Sequence, residues 1–343
     1  MSINLRCDYL EGCHPRVLQA LTETNLEQTD GYGLDPHCEH AAAMIREAFG
    51  VPEAAVHFLV GGTQTNATVI AAALRPYEGV LCADTGHINV HETGAPEASG
   101  HKMLPLPGKD GKISGGQVRE AVALQADFEH TVKPRMVYIS QPTEVGTLYS
   151  LAELEDLWRA CCDLDLLLFI DGARLGYGLT ADACDMTPAQ LAARCHVFYA
   201  GGTKCGLLFG EALVINDKGL QRDFRYMLKR QGAMLAKGRL LGVQFEAVMA
   251  DGLYWEICRQ ANARARRIRQ ALLDRHIPLQ PDSPTNQLFP VFTKAQLDCL
   301  NQTVETEPWG MDGPDRYVTR ICPSWATTDE MESLLLETIR RLP

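Results

Sequence analysis

Short apolar runs alternate with helical patterns between about residue 38 and residue 245, and this alternation constrains the fold more than any other feature of the chain. Each run has hydrophobic residues at consecutive positions, which is typical of strands with both faces buried. Strands that alternate with helices in this way form a mostly parallel sheet covered by helices. The predicted strands are 56–60, 136–140, 166–170, 197–200 and 212–215, and the predicted helices are 39–49, 66–74, 151–163 and 188–194.

The pattern changes after about residue 245. A long helical pattern covers residues 244–275, with an interruption expected near Gly252, and short strands are expected at 287–292 and 317–321. The last helix is predicted to begin at a capping box, in which Thr327 is followed three residues later by Glu330. We therefore predict a large α/β domain over residues 1–245, with the N-terminal segment included, and a small C-terminal α+β domain over residues 246–343.

The charge balance and the cysteines limit the class of protein. Acidic residues outnumber basic residues by 43 to 32, which gives a net charge of −11 and disfavours nucleic acid and anionic membranes as partners. No apolar run approaches the ~20 residues that a membrane span needs. The twelve cysteines form no CxxC pair and no metal-ligand spacing. With no signal peptide before them, we expect reduced thiols in a cytoplasmic enzyme without metal, rather than a disulfide framework.

A glycine-rich stretch at residues 61–66, Gly-Gly-Thr-Gln-Thr-Asn, follows the first predicted strand and opens the next helix. Ligands of an open parallel sheet bind beyond the carboxyl ends of its strands, and a helix N-terminus offers free N–H groups to an anion. The stretch matches neither a P-loop nor a dinucleotide fingerprint. It therefore indicates a cup for a single phosphate. The alternative is a plain strand-to-helix turn that Thr63 or Thr65 caps.

Asp171 and Lys204 each follow a predicted strand. A carboxylate at the end of a buried strand needs a partner, and the protonated nitrogen of a pyridine ring is one. Lys204 lies in Gly-Gly-Thr-Lys-Cys-Gly, where the glycines leave room for a bulky group on its amine. Taken alone, Asp171 could be a helix N-cap and Lys204 a solvated loop lysine. Together with the phosphate cup, they predict an enzyme that carries pyridoxal 5'-phosphate (PLP) as a Schiff base on Lys204.

Further motifs extend this pattern over nearly the whole chain. They lie at residues 5–8, 32–36, 62–66, 87–92, 170–176 and 202–206, and at Arg320, Ser324 and Trp325. At these positions the chain resembles the threonine aldolase branch of the aromatic amino acid β-eliminating lyase/threonine aldolase family. The resemblance implies the PLP-dependent transferase-like fold of aspartate aminotransferase (fold type I), with PLP as the cofactor.

The resemblance also implies a role for each matching position that faces the cofactor. Gly62 and Thr63 would bind the phosphate, and His87 would stack on the pyridine ring. Asp171 would pair with the ring nitrogen, and Lys204 would carry the aldimine. For His87, which lies in a polar loop, the alternative is an ordinary surface histidine.

Four positions would face the substrate or the oxygens of the cofactor. Arg320 and Arg174 would hold the substrate carboxylate and cofactor oxygens, and His130 would be the second active-site histidine of the family. Cys7 stands where the family has a serine. The second departure is at residues 141–145, where Gln-Pro-Thr-Glu-Val replaces the usual Glu-Asn-Thr-His-Asn. Both departures would lie near the active site, and they bear on the assignment of the substrate more than on the assignment of the cofactor.

The predicted partners are a small amino acid substrate and further copies of the chain. Residues 32–36 and the basic loop 229–237 resemble family segments that cross a subunit interface, which implies a homodimer or homotetramer with shared active sites.

The predicted reaction is retro-aldol cleavage of a β-hydroxy-α-amino acid, L-threonine or L-allo-threonine, to glycine and an aldehyde. The nearest alternative is a PLP-dependent β-eliminating lyase or racemase on another amino acid. A nucleotide- or NAD-binding protein is disfavoured because the glycine-rich stretch has neither fingerprint. In a non-catalytic binding protein, buried Asp and Arg groups without a ligand would be hard to justify.

Overall fold

A computed structural model describes residues 2–125 and 128–343 of the chain. The strands are β1 (Ile3–Asn4), β2 (Ala55–Leu59), β3 (Glu78–Ala83), β4 (Met103–Leu106), β5 (Lys133–Ser140), β6 (Leu167–Asp171), β7 (Val197–Gly201), β8 (Glu211–Ile215), β9 (Val291–Thr293), β10 (Val304–Glu305), β11 (Glu307–Met311) and β12 (Arg316–Arg320).

The α-helices are α1 (Pro15–Glu23), α2 (Pro36–Phe49), α3 (Gly62–Ala73), α4 (His87–Val90), α5 (Gly115–Leu124), α6 (Leu151–Asp163), α7 (Leu175–Leu179), α8 (Pro188–Ala192), α9 (Lys218–Gln221), α10 (Phe224–Arg230), α11 (Arg239–Met249), α12 (Leu253–Asp274), α13 (Lys294–Leu300) and α14 (Asp329–Arg341). Short 3-10 turns lie at Glu97–Ser99, Phe128–His130 and Ala250–Gly252. The last of these is the interruption predicted near Gly252.

Seven strands form the central sheet, in the order β2-β8-β7-β6-β5-β3-β4. β8 runs antiparallel to both of its neighbours, and the remaining pairs are parallel. Successive residues of β5, β6 and β7 belong to two different hydrophobic cores, one on each face of the sheet. Burial on both faces explains the consecutive apolar residues of these strands. The five predicted strands are confirmed, whereas β3 and β4 are additional.

The C-terminal residues form a smaller unit in which β11, β12 and β9 make an antiparallel sheet beside α13 and α14. Its core contains Ile268, Phe292 and Ile339 together with Leu5 from the N-terminus. β1 pairs in parallel with β10. Residues 3–5 of the chain therefore pack on the C-terminal unit.

One long helix, α12, connects the two units. Tyr254 and Cys258 in its first half pack into the core of the large sheet, whereas Ile268 and Leu272 in its second half pack into the C-terminal core. Of the helices in the described part of the chain, none has both the length and the apolar composition for a bilayer crossing.

The N-cap of the last helix differs from the prediction. Thr328, and not Thr327, caps α14 by accepting the N–H of Met331. Thr327 accepts the N–H of Ser324 at 2.9 Å. The hydroxyl of Thr327 is therefore already engaged in the preceding turn, and the helix begins one residue later than the capping-box pattern indicates.

Candidate active site

The predicted site residues meet at the carboxyl ends of the parallel strands. β5 and β6 end at Ser140 and Asp171, which are register partners, and the loop after β7 carries Lys204. This is the edge at which ligands bind in open α/β sheets. One small cavity there is lined by His87, Ser140, Pro142, Thr143, Glu144, Asp171, Ala173, Arg174 and Lys204.

Asp171 is buried at the centre of a hydrogen-bond network. Its Oδ2 accepts the hydroxyl of Tyr138 at 2.5 Å and the side-chain amide of Asn66 at 3.1 Å. Its Oδ1 accepts the N–H of Ala173 at 3.0 Å. Burial alone would raise the pKa of Asp171, but the charge of His87 and these donors outweigh it, so the pKa is lowered. The side chain is thus an ionised carboxylate that can pair with a buried cation.

Lys204 is enclosed by groups of both charges. Burial and the charge of Arg174 lower the pKa of its ammonium group, and the charges of Asp8, Asp171 and Glu211 act in the opposite direction. The ring of Tyr9 lies 5.8 Å from its Nζ. A lysine with a lowered pKa supplies more of the neutral amine that attacks a carbonyl group.

Glycines before this lysine let its loop pack closely against neighbouring backbone. A Cβ atom on Gly201 would lie 2.3 Å from the carbonyl oxygen of Ala173, and one on Gly202 would lie 2.6 Å from that of Gly210. The loop that presents Lys204 therefore packs directly against neighbouring backbone. This close approach is the structural reason for the glycine pair that the sequence displays.

The first turn of α3 is open to an anion. Gly61 is its N-cap and offers no side-chain cap, and Thr65 donates its hydroxyl to the Gly61 carbonyl at 2.9 Å. Thr63 is exposed on the same turn. Neither threonine caps the free N–H groups, so the alternative of a side-chain-capped turn is wrong. A Cβ atom on Gly62 would lie 3.0 Å from the Tyr199 hydroxyl, so the first turn of α3 packs closely against β7.

His87 begins the short helix α4 and is fixed at two points. Its Nδ1 lies 2.8 Å from Oε1 of Glu92, and its backbone N–H donates to Oε1 of Glu144 at 2.8 Å. Burial would lower the pKa of His87, but the bond to Glu92 and the charge of Asp171 raise it. The contact with Glu92 therefore orients the His87 ring. His87 is therefore a positioned side chain beside Asp171, and not a free surface histidine.

Arg174 forms an internal ion pair. Its Nε and Nη2 donate to the two oxygens of Asp8 at 2.7 and 2.8 Å, and Asn286 donates to the same carboxylate at 2.9 Å. Two of the donor nitrogens that would grip a substrate carboxylate or a cofactor oxygen are thus engaged within the subunit.

Arg320 has a different environment. Its Nε donates to the carbonyl of Arg6 at 3.0 Å, and its guanidinium lies 5.0 Å from the ring centre of Trp309. It is 9% exposed, and no carboxylate in residues 2–125 and 128–343 pairs with it. A buried cation without a counter-ion is a suitable partner for a substrate carboxylate.

Cys7 lies at the edge of the same region. It is partly buried and close enough to Tyr9 to raise the pKa of that phenol, after the larger effect of burial. Tyr9 in turn faces Lys204. The structure thus brings Cys7 near the site, with Tyr9 as its neighbour.

His130 is not in this cluster. It is exposed and precedes β5, whereas the site lies beyond Ser140 at the other end of that strand. Eight strand residues separate the two ends by roughly 25 Å. Within one subunit, the expectation of His130 as a second active-site histidine is therefore wrong. The histidine that the fold does place there is His91, whose ring centre is 5.5 Å from that of His87.

Several side chains have roles in the site that the sequence did not predict. Asn66, Tyr138 and Asp8 hold Asp171 and Arg174 in place, and Glu144 joins Ser140 to His87. Their roles depend on contacts between distant parts of the chain. Asp8, Asn66 and Glu144 lie in stretches that the sequence singled out, at 5–8, 61–66 and 141–145, whereas Tyr138 lies in a predicted strand.

The arrangement suits a flat, anionic ligand with a protonated ring nitrogen and a carbonyl carbon. The bare turn of α3 would take the anion, Asp171 the ring nitrogen and Lys204 the carbonyl carbon. Two buried acceptors beside Asp171, Oε2 of Glu92 and Oδ1 of Asn66, have no hydrogen-bond partner among the described residues. No cluster of three or more metal-ligating side chains occurs in that part of the chain.

Comparisons with known proteins agree with this geometry. A family model described as β-eliminating lyase matches residues 4–295. The low specificity L-threonine aldolase of Pseudomonas aeruginosa is 33% identical over 271 residues, which cover 78% of this chain and 77% of that protein. The solved structure of Leishmania major threonine aldolase is 40% identical, with a TM-score of 0.96 over 98% of both chains.

A more distant structure agrees in fold alone. A Thermus thermophilus aspartate aminotransferase variant superposes with a TM-score of 0.73 at 16% identity, over 99% of this chain and 91% of that one. The expected fold type I architecture is thereby confirmed.

Proposed function

The chain belongs to the β-eliminating lyase family, and from that premise we propose that it is a PLP-dependent lyase that cleaves β-hydroxy-α-amino acids, L-threonine and L-allo-threonine among them, to glycine and an aldehyde. The observation that carries the proposal is the shared cavity of Lys204, Asp171 and His87 at the carboxyl edge of the sheet. The 40% identity to a threonine aldolase over 98% of the chain supports the same reaction.

Four elements of the chain would hold the cofactor. The N-terminus of α3 at Gly62 and Thr63 would bind the phosphate, and His87 would lie against the ring. Asp171 would pair with the ring nitrogen, and Lys204 would bind the aldehyde carbon. When bound, PLP supplies a carbonyl group for the substrate amine and a pyridinium ring that accepts the electron pair released at Cα.

The chain's own residues then determine which bond to Cα reacts. Arg320 binds the substrate carboxylate and so fixes rotation about the bond between the amine nitrogen and Cα. Asp171, held ionised by the charge of His87 and by the Tyr138 hydroxyl, would keep the ring nitrogen protonated. Arg174 is locked to Asp8 and orients this wall of the cavity. With the Cα–Cβ bond held perpendicular to the ring, cleavage needs a group that removes the β-hydroxyl proton.

We also propose that the enzyme is at least a homodimer with shared sites. Segments 32–36 and 229–237 pack on each other, with the N–H of Tyr32 3.1 Å from the Ala236 carbonyl. Gln64, in the first turn of α3, donates to Gly232 at 3.2 Å, so this surface adjoins the proposed phosphate site. Leu34 is 64% exposed on it, an apolar side chain that a second copy would cover.

A cytoplasmic location remains a proposal, supported by the cysteine content. All twelve cysteines lie in the described residues and none is in a disulfide. This is the usual state of thiols in a reducing compartment.

The proposal is tested by incubating purified protein and added PLP with L-threonine and L-allo-threonine. Equal amounts of glycine and acetaldehyde are expected, both dependent on PLP. Turnover to a keto acid without acetaldehyde would instead favour the β-eliminating lyase alternative.

A further inference from the structure

A second pocket adjoins the cavity of Lys204 on the solvent side. It has a volume of about 340 Å³ and is lined by Asp84, Thr85, Val90, His91, Glu144, Val145 and Trp309. Glu144 is the residue that lines both this outer pocket and the inner cavity. A substrate with its amine at Lys204 and its β-substituent in the outer pocket must therefore pass the Glu144 carboxyl.

Glu144 is held in place without being neutralised. Its Oε1 accepts the Ser140 hydroxyl at 2.6 Å and the backbone N–H of His87 at 2.8 Å. No lysine, arginine or histidine side chain in the described residues forms an ion pair with it. Burial, with a smaller contribution from Asp171, raises the pKa of Glu144, while the two donors act against that rise. The carboxyl is thus fixed in position and free to exchange a proton.

The histidines of the site are less suited to this task. Nδ1 of His87 is engaged by Glu92, and the face of its ring is assigned to the cofactor. His130 of the same subunit lies at the opposite end of β5. His91 lines the outer pocket only, where its ring centre is 6.4 Å from that of Trp309.

We propose that Glu144 is the catalytic base that removes the β-hydroxyl proton of the substrate, at the boundary between the two cavities. This inference rests on the proposed function. It assigns a chemical role to a residue of the stretch 141–145, one of the two places where the sequence departs from the family pattern that it resembles.

The step balances as follows. The Glu144 carboxylate takes the proton from the β-oxygen, and the O–H electron pair becomes the second bond of the aldehyde C=O. The Cα–Cβ bond breaks, and its electron pair remains with the Cα fragment. A proton then returns to Cα to give glycine, and Glu144 releases its own proton, so no external oxidant or reductant is needed.

The test compares two reactions of the PLP-loaded enzyme. Cleavage of L-threonine needs the β-hydroxyl base, whereas exchange of the glycine α-proton in deuterated water has no β-hydroxyl to deprotonate. Glu144→Gln should slow threonine cleavage by ~100-fold or more, the usual effect of removing a general base, and leave glycine exchange nearly unchanged. Glu129→Gln, an exposed carboxyl before β5, is the matched control and should change neither reaction.

Chemical rescue gives a second readout. Glu144→Ala opens space beside an outer pocket that communicates with solvent, so added formate should restore part of the cleavage rate. Equal loss of both reactions in Glu144→Gln would show a structural role and overturn the proposal. Unchanged threonine cleavage in Glu144→Gln would also overturn the proposal. The same holds if Glu144→Ala retains glycine exchange but its threonine cleavage does not respond to formate. Absence of threonine cleavage in the unmodified enzyme would instead refute the proposed function itself.

Discussion

Arg174 and Asp8 form a two-point ion pair inside the subunit, with Nε 2.7 Å from Oδ2 and Nη2 2.8 Å from Oδ1. Asp8 is fully buried, and Arg174 nearly so. Burial by itself would raise the pKa of Asp8, but the charge and hydrogen bonds of Arg174 hold it far below its usual range. The pair thus links the N-terminal segment to the loop after β6, and leaves Arg320 as the cation that is available for a substrate carboxylate.

The first prediction concerns this pair. Asp8→Asn should lower the free energy of unfolding by about 3–5 kcal/mol, because it leaves a buried guanidinium without its counter-ion. The matched control is Asp251→Asn, which breaks the exposed pair with Arg16 and should cost at most about 1 kcal/mol. Urea unfolding followed by circular dichroism measures both. A similarly small loss of unfolding free energy in the two variants would contradict the claim that the buried pair of Asp8 and Arg174 stabilises the fold.

The same pair predicts a dependence on pH. Because the folded pKa of Asp8 is lowered, its contribution is fully present above the ordinary Asp pKa of about 3.9 and is lost as pH falls toward the lower folded value. The difference in stability between wild type and Asp8→Asn should therefore be constant near neutral pH and shrink below pH ~4. A difference that shrinks on raising the pH would have the wrong sign for this account.

Lys204 is predicted to be the lysine that binds PLP. Borohydride reduction of the loaded protein should fix the cofactor to the peptide that contains Lys204, as read by mass spectrometry. Lys204→Ala should abolish this label, whereas Lys218→Ala, which removes an exposed lysine on α9, should not. A label on any other lysine of the wild type would contradict the assignment.

Asp171→Asn should retain PLP but lose turnover by about 100-fold or more, because a neutral amide cannot keep the ring nitrogen protonated. Tyr138→Phe removes one donor to Asp171 and leaves the charge in place, so its turnover should fall less. Steady-state kinetics at saturating PLP rank the two variants. Near-normal turnover in Asp171→Asn would contradict the proposed electrostatic role of the Asp171 carboxylate.

Much of this site was predictable from sequence because its parts follow strands. Asp171 and Lys204 come directly after buried apolar runs, and parallel strands bring such ends together. Strand β3 of the central sheet was missed although its residues are buried, because it begins with Glu78 and Gly79, which are not typical of a buried strand. Glu78 is tolerated there since its carboxylate accepts the N–H of Arg75 at 2.8 Å.

What the sequence could not provide are contacts between remote segments. Asp8 meets Arg174 across 166 positions, and Asn66 meets Asp171 across 105. No local pattern encodes such pairs. The expectation for His130 came from the resemblance alone. Its position before β5 places it at the amino end of that strand, opposite to the edge where Asp171 and Lys204 lie.

The subunit surface predicts self-association. In sedimentation velocity the wild type should be a dimer or tetramer at the concentrations at which it is active. Leu34→Glu should weaken the assembly and the activity together, because it puts a charge on a surface that a second copy is proposed to cover. Leu124→Glu, at a position 77% exposed on α5, tests whether any added charge has the same effect. A wild-type monomer with full activity would rule out shared sites.

The central claim is that the enzyme breaks the Cα–Cβ bond of its substrate in preference to eliminating a β-substituent. The most direct measurement is a pair of coupled assays on one PLP-loaded preparation, with acetaldehyde followed from L-threonine and L-allo-threonine and pyruvate followed from L-serine. We expect acetaldehyde formation to be the faster reaction with at least one of the two threonines. Dominant pyruvate formation from serine would contradict the account and identify the chain as a β-eliminating lyase.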